Sequence, residues 1–334
     1  MRFDLLLTHE NLMSQLGRRS RQAADIEELF TLATAMNDSD CLAQVWVRRA
    51  GYLSETGNPQ QSKRAAEEAL LLFRQSNDKL GEARVLREMG FAYWLSAEYS
   101  LALEYGRKAL HLHRLIGDIE GEASALHNLA EIHRGLNSPH RAVAFYDESL
   151  QKSWAQQDHK RQSLSLYGKA HALRQMGQHQ GALGTYQQTL RYAELANDKF
   201  LLSRVYHEMA TMFSNAGDNE QALSAMQHAS AISREAGYAI GLAHSLVGLT
   251  YLHLNQDHFE EAREALIEAM EWFRLLEDDD GISYITNYLA RVKPGSAVIE
   301  EPPARLGWVK TYVTLGEGKI YCEFESPLAT AQQE

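Results

Sequence analysis

The sequence contains little proline, and its few prolines are unevenly placed. Only two of its six prolines, Pro59 and Pro139, come before residue 290. Because proline ends or kinks a helix, the long proline-poor part of the chain is able to be helical throughout. The sequence also lacks an apolar run long enough to cross a bilayer. Its first residues lack a small-residue cleavage site, so we expect neither a transmembrane segment nor a signal peptide.

Cysteine and positive charge are also scarce. The two cysteines, Cys41 and Cys322, are far apart in sequence, which is typical of a reducing compartment, so we expect a cytoplasmic protein. The chain has 33 basic and 44 acidic residues, giving a formal net charge of −11. Nucleic acids and anionic membranes both attract basic surfaces. We therefore expect neither of them as the main partner.

The residue patterns of common catalytic and metal sites are missing. No His-x-x-x-His or Cys-x-x-Cys pair occurs, and His111 and His113 are spaced to lie on different sides of a helix. A phosphate-binding glycine loop and a Gly-x-Ser-x-Gly nucleophile elbow are absent too. We therefore predict that the protein is not an enzyme and has no catalytic residue, metal site or cofactor.

The sequence does contain an internal repeat of forty residues. From Cys41 it divides without insertion into six blocks, 41–80, 81–120, 121–160, 161–200, 201–240 and 241–280. The tenth and twenty-second positions of each block carry small residues. At the tenth these are Ala50, Gly90, Ala130, Ala170, Ala210 and Thr250, and at the twenty-second Ser62, Ala102, Ala142, Ala182, Ala222 and Ala262. Small side chains let two antiparallel helices approach closely, so each block predicts a helix pair.

Turn residues recur in the same register. Gly57, Asn137, Gly177 and Gly217 stand at position seventeen, where the first helix of a pair should end. Pro59 and Pro139 follow two residues later, in the first turn of the second helix. Position thirty-eight is an aspartate in five of the six blocks, which predicts a cap for the next helix.

These residues carry a family resemblance. Residues 126–150 and 246–270 resemble tetratricopeptide repeats, and the forty-residue spacing is similar to kinesin light chains and bacterial multidomain signalling ATPases. The resemblance spans roughly 20–290 and implies an all-α, right-handed superhelix, an α-solenoid of about seven helix pairs. Residues 5–40 and 281–290 fit as partial repeats, so we assign 1–290 to the solenoid. Arg49 and Lys169 depart from the pattern at position nine, where leucine or methionine is usual.

The sequence changes character after residue 290. Residues 291–307 are rich in proline and glycine and predict a linker. Residues 308–334 predict a β-hairpin tail, and 307–327 resemble the middle hairpin of a small bacterial ferredoxin-like, nickel-associated family. No histidine follows residue 290, so no metal site is transferred. The hairpin is expected to pack on the last helices or to pair with a second chain as a homodimer, and a partly disordered tail is the alternative.

A binding face is expected on the first helix of each pair. Positions four, seven, eleven and fourteen share a face opposite the packed positions. They give a basic and aromatic ligand-binding set, comprising Arg84, Arg87, Phe91, Trp94, His127, Arg134, Tyr167, His171, Arg174, Arg204, His207, His244 and Tyr251, with Tyr284 from the partial repeat. Glu131 is the only acid at these positions. The set predicts an acidic protein or peptide partner. The alternative is a solvated face whose arginines pair with Glu88, Glu131 and Glu208.

Two functions remain open at this point. The first is a scaffold that binds a protein or peptide in a concave groove. The second is a regulatory sensor whose superhelix responds to a small peptide or effector, as the resemblance to signalling proteins implies. Self-association through the tail is compatible with both. The acidic segments 300–303 and 323–325 also raise the question of whether the chain's own tail fills the groove.

Overall fold

The computed structural model describes residues 2–15, 19–276, 278, 281–285, 308–313 and 320–324. This part of the chain is almost entirely helical and contains fourteen consecutive helices, followed by a helical stretch at 281–285. The helices are α1 Arg2–Gln15, α2 Arg19–Met36, α3 Ser39–Glu55, α4 Pro59–Gln75, α5 Lys79–Leu95, α6 Tyr99–Ile116, α7 Ile119–Gly135, α8 Pro139–Ala155, α9 His159–Gln175, α10 His179–Leu195, α11 Lys199–Asn215, α12 Asn219–Glu235, α13 Ala239–Leu254 and α14 Phe259–Leu275.

The two turns of each block follow the predicted register. In the described blocks, positions seventeen and thirty-seven have a positive φ, as at Gly57 (76°), Asn137 (51°) and Asn197 (52°). This left-handed residue ends one helix and redirects the chain into the next. The carboxylate of Asp78 then accepts a hydrogen bond from the Gly81 N–H at 3.0 Å, which caps α5. The same contact is made by Asp38, Asp118, Asp158 and Asp198, and by Asp278 at residue 281.

Two compact units make up the chain, and they divide between α9 and α10. In the first unit, each helix packs on the next from α1 to α9. The first helices also contact one another, α3 with α5, α5 with α7 and α7 with α9, whereas no two second helices are among the packed neighbours in the described structure. Because the first helices approach each other more closely, they line the inner side of this stack.

The second unit repeats the arrangement within itself. Its packed neighbours run from α10 through α14, and its first helices α11 and α13 contact each other. A core cluster centred on Leu246, Leu266 and Phe273 holds these helices together, and Ile285 from the following helical stretch joins it. The chain therefore consists of consecutive packed helix pairs, as the repeat predicts.

Small residues let the helices of a pair approach. All twelve residues at positions ten and twenty-two are buried, among them Ala50, Gly90 and Ser62. A Cβ added to Gly90 would lie 3.2 Å from the backbone nitrogen of Gly106 on α6, so only glycine fits there without displacing the neighbouring helix. Where Ser62 replaces alanine, its hydroxyl donates to the Ala50 carbonyl at 2.8 Å. The buried polar group is thereby satisfied.

The end regions are described in part. Helices α1 and α2 pack together before the six blocks, and the assignment of residues 5–40 as a partial repeat stays a prediction. Residues 281–285 begin the predicted seventh block, and 286–307, including the expected linker, lie outside the described residues. Two strands, β1 Trp308–Val313 and β2 Ile320–Phe324, are paired in a two-stranded sheet. Their side chains lie outside the described residues, so the packing of the tail stays a prediction.

Candidate functional site

A cavity of about 490 Å³ lies in the first unit, against the inner first helices. Its lining includes position four of three successive blocks, which is Gln44 on α3, Arg84 on α5 and Ser124 on α7. Glu10 of α1 and Gln22 of α2 line the cavity as well. The volume falls within the range of small-ligand sites, roughly 300–1,000 Å³. Position four of three successive first helices therefore contributes to the lining of this cavity.

Two arginines of the predicted set, Arg84 and Arg87, line this cavity, and only Arg87 forms an ion pair in the described structure. Arg87 donates from Nη2 to Glu88 Oε1 at 2.7 Å, so its charge is already paired. Arg84 is exposed and makes no ion pair within the described part of the chain. Glu88 stands at position eight, which the predicted face did not include. Arg84 is thus the arginine most available to an incoming anion.

The aromatic pair of the predicted set lies on the same helix α5. Phe91 and Trp94 stack with their ring centroids 5.5 Å apart and their planes at 24°. Both are half-buried, and Trp94 also packs against the main core cluster of the first unit. These rings offer an apolar surface, but part of it already belongs to the core.

Further along the first unit, Arg134 belongs to an internal network. Its Nη2 and Nε donate to Glu131 Oε2 at 2.6 and 3.2 Å, and the buried Tyr146 hydroxyl donates to the other carboxylate oxygen. Burial alone would raise the pKa of Glu131, but the charge of Arg134 and contacts with His127 and Tyr146 hold it to about 2. The alternative of arginines paired with Glu88 and Glu131 is therefore realised for Arg87 and Arg134.

His127 connects this network to the next repeat. Its Nδ1 lies 3.1 Å from the Ser165 hydroxyl, and its ring meets Tyr146 edge-on at 5.7 Å. Burial lowers the pKa of His127 to about 4, although the carboxylate of Glu131 opposes the change. The histidine is therefore neutral at pH 7 and acts as a hydrogen-bonding side chain.

On α9, the three predicted residues Tyr167, His171 and Arg174 lie together and are half-buried. The Tyr167 and His171 rings meet edge-on at 4.5 Å, and Arg174 Nη2 lies 3.3 Å from His171 Nδ1. This arrangement presents a ring, an imidazole and a guanidinium on one helical face.

The second unit carries its own part of the predicted set. Arg204 on α11 is exposed, as is Tyr251 on α13, whose relative exposure is 44%. His207 and His244 are half-buried, and burial lowers the pKa of both, that of His244 to about 4 with the nearby His207 contributing. The predicted residues of this unit are thus two exposed polar side chains and two half-buried histidines whose lowered pKa favours the neutral form at pH 7.

Sequence reasoning missed several charged residues at the cavity of the first unit. Carboxylates of Glu10, Glu55, Glu88 and Glu120 line it, so the lining is mixed in charge and not only basic. Glu88 and Arg48 share position eight, which turns out to face the cavity alongside positions four and seven. That recurrence could have been found in the repeat. Glu10 could not, because α1 precedes the six aligned blocks.

The histidines and acids do not assemble a metal site in the part of the chain described. No group of three or more His, Cys, Asp or Glu residues there is arranged to hold a metal ion. His111 is exposed and His113 is buried, on different sides of α6 as expected. Among the described helices, none is both long and apolar enough to cross a membrane.

Comparison with protein families identifies the repeats. Two tetratricopeptide repeat models match residues 41–114 and 123–153. These segments are therefore tetratricopeptide repeats, as the resemblance predicts. A model of anaphase-promoting complex subunit 5 matches 171–249 and 241–295. No match was found among curated proteins.

Solved structures share the fold at low sequence identity. A signal transduction ATPase with numerous domains and a tetratricopeptide repeat sensor, from Pyrococcus horikoshii, is 14% identical, with a TM-score of 0.62. The match covers 84% of this chain and 44% of that one. The apo quorum sensor NprR from B. thuringiensis is 16% identical over 85% of this chain and 79% of its own, with a TM-score of 0.60.

A Rap protein complexed with competence and sporulation factor is also similar in structure. It is 14% identical over 87% of each chain, with a TM-score of 0.58. At such identities these likenesses show the fold alone.

Proposed function

We propose that this protein is a non-catalytic scaffold that holds another protein or a peptide against its inner first helices. The observation that carries the proposal is the cavity of the first unit. Helices α3, α5 and α7 contribute to its lining together with α1 and α2, and the exposed Arg84 has no ion-pair partner among the described residues. A concave surface with an uncommitted guanidinium suits a carboxylate group of a partner.

The remaining residues of the predicted face extend this proposal. In the first unit the partner also meets the Phe91–Trp94 stack and the Tyr167–His171 pair, since half-buried aromatic rings supply much of the energy at protein interfaces. In the second unit, Arg204, His207, His244 and Tyr251 form a separate candidate surface. Right-handed coiling of the helix pairs within each unit remains part of the proposal.

A regulatory sensor is the second candidate function. The fold is similar to a signalling ATPase with a tetratricopeptide repeat sensor and to a quorum sensor, which favours a chain that changes shape when a small peptide binds. Small-angle X-ray scattering separates the two candidates, because a sensor contracts on binding whereas a scaffold keeps its radius of gyration.

The tail is proposed to act in assembly. A two-stranded sheet alone is marginal in water, so β1 and β2 are expected to pair with a second chain or to pack on the last helices. Deleting residues 295–334 should therefore lower thermal stability or change the oligomeric state measured by light scattering. An unchanged protein would contradict an assembly role for the tail.

The scaffold proposal is tested by affinity capture from a lysate of the source organism with Arg84→Glu. Arg64→Glu is the matched control, because Arg64 is exposed on the second helix α4 and has no ion-pair partner in the described chain. We expect a partner that is lost with Arg84→Glu and kept with Arg64→Glu. Identical captures by both variants would place binding on another surface. Arg134 is unsuitable for this test, because its replacement also breaks the Glu131 network.

A further inference from the structure

Two charged side chains of opposite sign in the first unit lack full hydrogen bonding, one lining the cavity and the other interacting with the lining residue Arg87. The first is Glu10 on α1, whose side chain is only 1% exposed. Its Oε1 accepts from Gln22 Nε2 at 2.8 Å, whereas Oε2 accepts no hydrogen bond from any described residue. Arg48 Nε lies 3.7 Å from Oε2, near enough to attract it but too far to donate. Because an unsatisfied buried carboxylate oxygen is costly, this atom is suited to receive a donor from a ligand.

Other carboxylates lie around the same end of the cavity. Glu55 lines it beside Glu10, and burial raises the pKa of Glu55, with Glu88 and Glu10 adding to the rise and Arg19 opposing it. The cations nearby are largely committed, since Arg19 contacts Glu55 at 2.5 Å and also donates to Gln22. A positive ligand group placed there would satisfy Glu10 Oε2 and reduce the repulsion among the acids.

The second incompletely bonded charge is Arg161 at the start of α9. Its Nε is buried without a hydrogen-bond partner, and its side chain forms no ion pair within the described structure. Burial and the charge of Arg87 lower the pKa of Arg161 to about 10, while Asp158 and Glu120 oppose the change. Arg161 is not among the residues that line the cavity, but Arg87, whose charge acts on it, lines the cavity together with the unpaired Arg84. A carboxylate bound in the cavity beside Arg84 and Arg87 would offset the repulsion between Arg87 and Arg161.

We propose that this cavity binds a short peptide in one orientation, with the free α-amino group at Glu10 and Glu55 and the C-terminal carboxylate at Arg84. The inference rests on the proposed function and specifies its ligand and polarity. An ammonium group carries three donors and no acceptor, which matches the incompletely bonded carboxylate oxygen. A guanidinium matches a carboxylate by a pair of parallel hydrogen bonds. The acidic partner expected from the sequence accounts for the second contact only.

The test uses the full chain, immobilised, and a randomised hexapeptide library that omits lysine, arginine, aspartate and glutamate. The α-amino group is then the only strong cation in each peptide, and the C-terminal carboxylate is the only carboxylate. Three forms of the library are compared at equal concentration: free termini, N-acetylated and C-amidated. Mass spectrometry measures the retained peptide. We expect acetylation and amidation each to reduce retention roughly tenfold, which is about 1.4 kcal/mol.

Variants assign each effect to its residue. Glu10→Gln keeps the size of the side chain and should abolish the effect of acetylation while preserving that of amidation. Arg84→Gln should abolish the effect of amidation on retention while preserving that of acetylation. Arg64→Gln, exposed on α4, is the control and should change neither effect. Circular dichroism and the unfolding midpoint show whether each variant is folded, and the comparison of blocked libraries on the unaltered protein does not depend on any variant.

The possible outcomes separate this inference from the proposed function. Equal retention of free and blocked libraries would overturn the oriented binding but leave peptide binding standing. No retention of any library would overturn the short-peptide ligand, whereas a partner that Arg84→Glu loses from a lysate would still support the scaffold. Retention that responds to acetylation in the Glu10→Gln variant would place the α-amino group elsewhere.

Discussion

Replacing Glu131 by glutamine tests how much the buried ionic network of the first unit contributes to stability. The carboxylate accepts from Arg134 and from Tyr146, and its side chain is 20% exposed. Glutamine has nearly the same shape, and its Oε1 can still accept from Arg134, while its Nε2 faces the Tyr146 hydroxyl, which can turn to accept from it. The substitution therefore removes mainly the negative charge, and it leaves the Arg134 guanidinium without its counter-charge.

The expected loss follows from the pKa of Glu131, which lies at about 2 in the folded chain against an ordinary value of 4.5. At roughly 1.4 kcal/mol per pKa unit, the ionised carboxylate contributes about 3 kcal/mol to the free energy of unfolding at pH 7. Because the folded pKa is lowered, this contribution is complete above pH 4.5 and is lost as the pH falls toward 2. The difference in the free energy of unfolding between the unaltered protein and Glu131→Gln should therefore be about 1 kcal/mol smaller at pH 3.5 than at pH 7.

Urea unfolding followed by circular dichroism at both pH values measures this difference. Glu104→Gln is the control, because Glu104 forms an exposed ion pair with Lys108 on α6. Such surface pairs contribute roughly 0.5 kcal/mol or less, so the control should be nearly neutral. A loss below about 1 kcal/mol for Glu131→Gln at pH 7, or a loss that does not change with pH, would refute the assignment of a strongly stabilised carboxylate.

Three further predictions concern the turns, a close contact and the response to acid. Ala97 has a φ of 57°, so Ala97→Gly should raise the free energy of unfolding by about 1 kcal/mol in urea, whereas Ala216→Gly, at a φ of −84°, should lower it. An added Cβ at Gly168 would overlap the buried ring of Tyr146, so Gly168→Ala should cost about 1–3 kcal/mol and alter the near-ultraviolet circular dichroism. The lowered pKa of His244 predicts stability that is lost as the pH falls from 6.5 to about 4. His244→Gln should accordingly lose about 2 kcal/mol less than the unaltered protein between pH 7 and pH 5, measured by urea unfolding.

The fold could be predicted because the repeat specifies its turns as well as its core. A helix pair needs small residues where the helices touch and left-handed residues where they end. Both requirements recur in the sequence at fixed positions. The aspartates at position thirty-eight cap the next helix, and Tyr238, which replaces one of them, makes no side-chain cap. The fixed spacing therefore predicted the helix boundaries closely, whereas no repeat extends past residue 290 to predict the structure there.

The candidate site was harder to predict, because periodicity gives the direction of a side chain but not its burial or its partners. Position eight was not included in the predicted binding face, yet Arg48 and Glu88 both line the cavity. The curvature of the first unit brings neighbouring positions of the first helices to the same concave surface. Glu10 joins them from α1, which lies outside the six aligned blocks. Contacts of this kind depend on how successive pairs stack.

Arg84 and Arg134 show why residue type alone does not identify a binding residue. Both are arginines on first helices and both belong to the predicted face. Arg134 follows Glu131 by three residues on one helical turn and forms an ion pair with that carboxylate. The same carboxylate accepts a hydrogen bond from Tyr146. Arg84 has Glu88 four residues later, but Arg87 occupies that carboxylate instead. The pairing within α5 therefore leaves Arg84 available, and a guanidinium that is available in a concavity is better suited to recognise a ligand than one that already completes the interior.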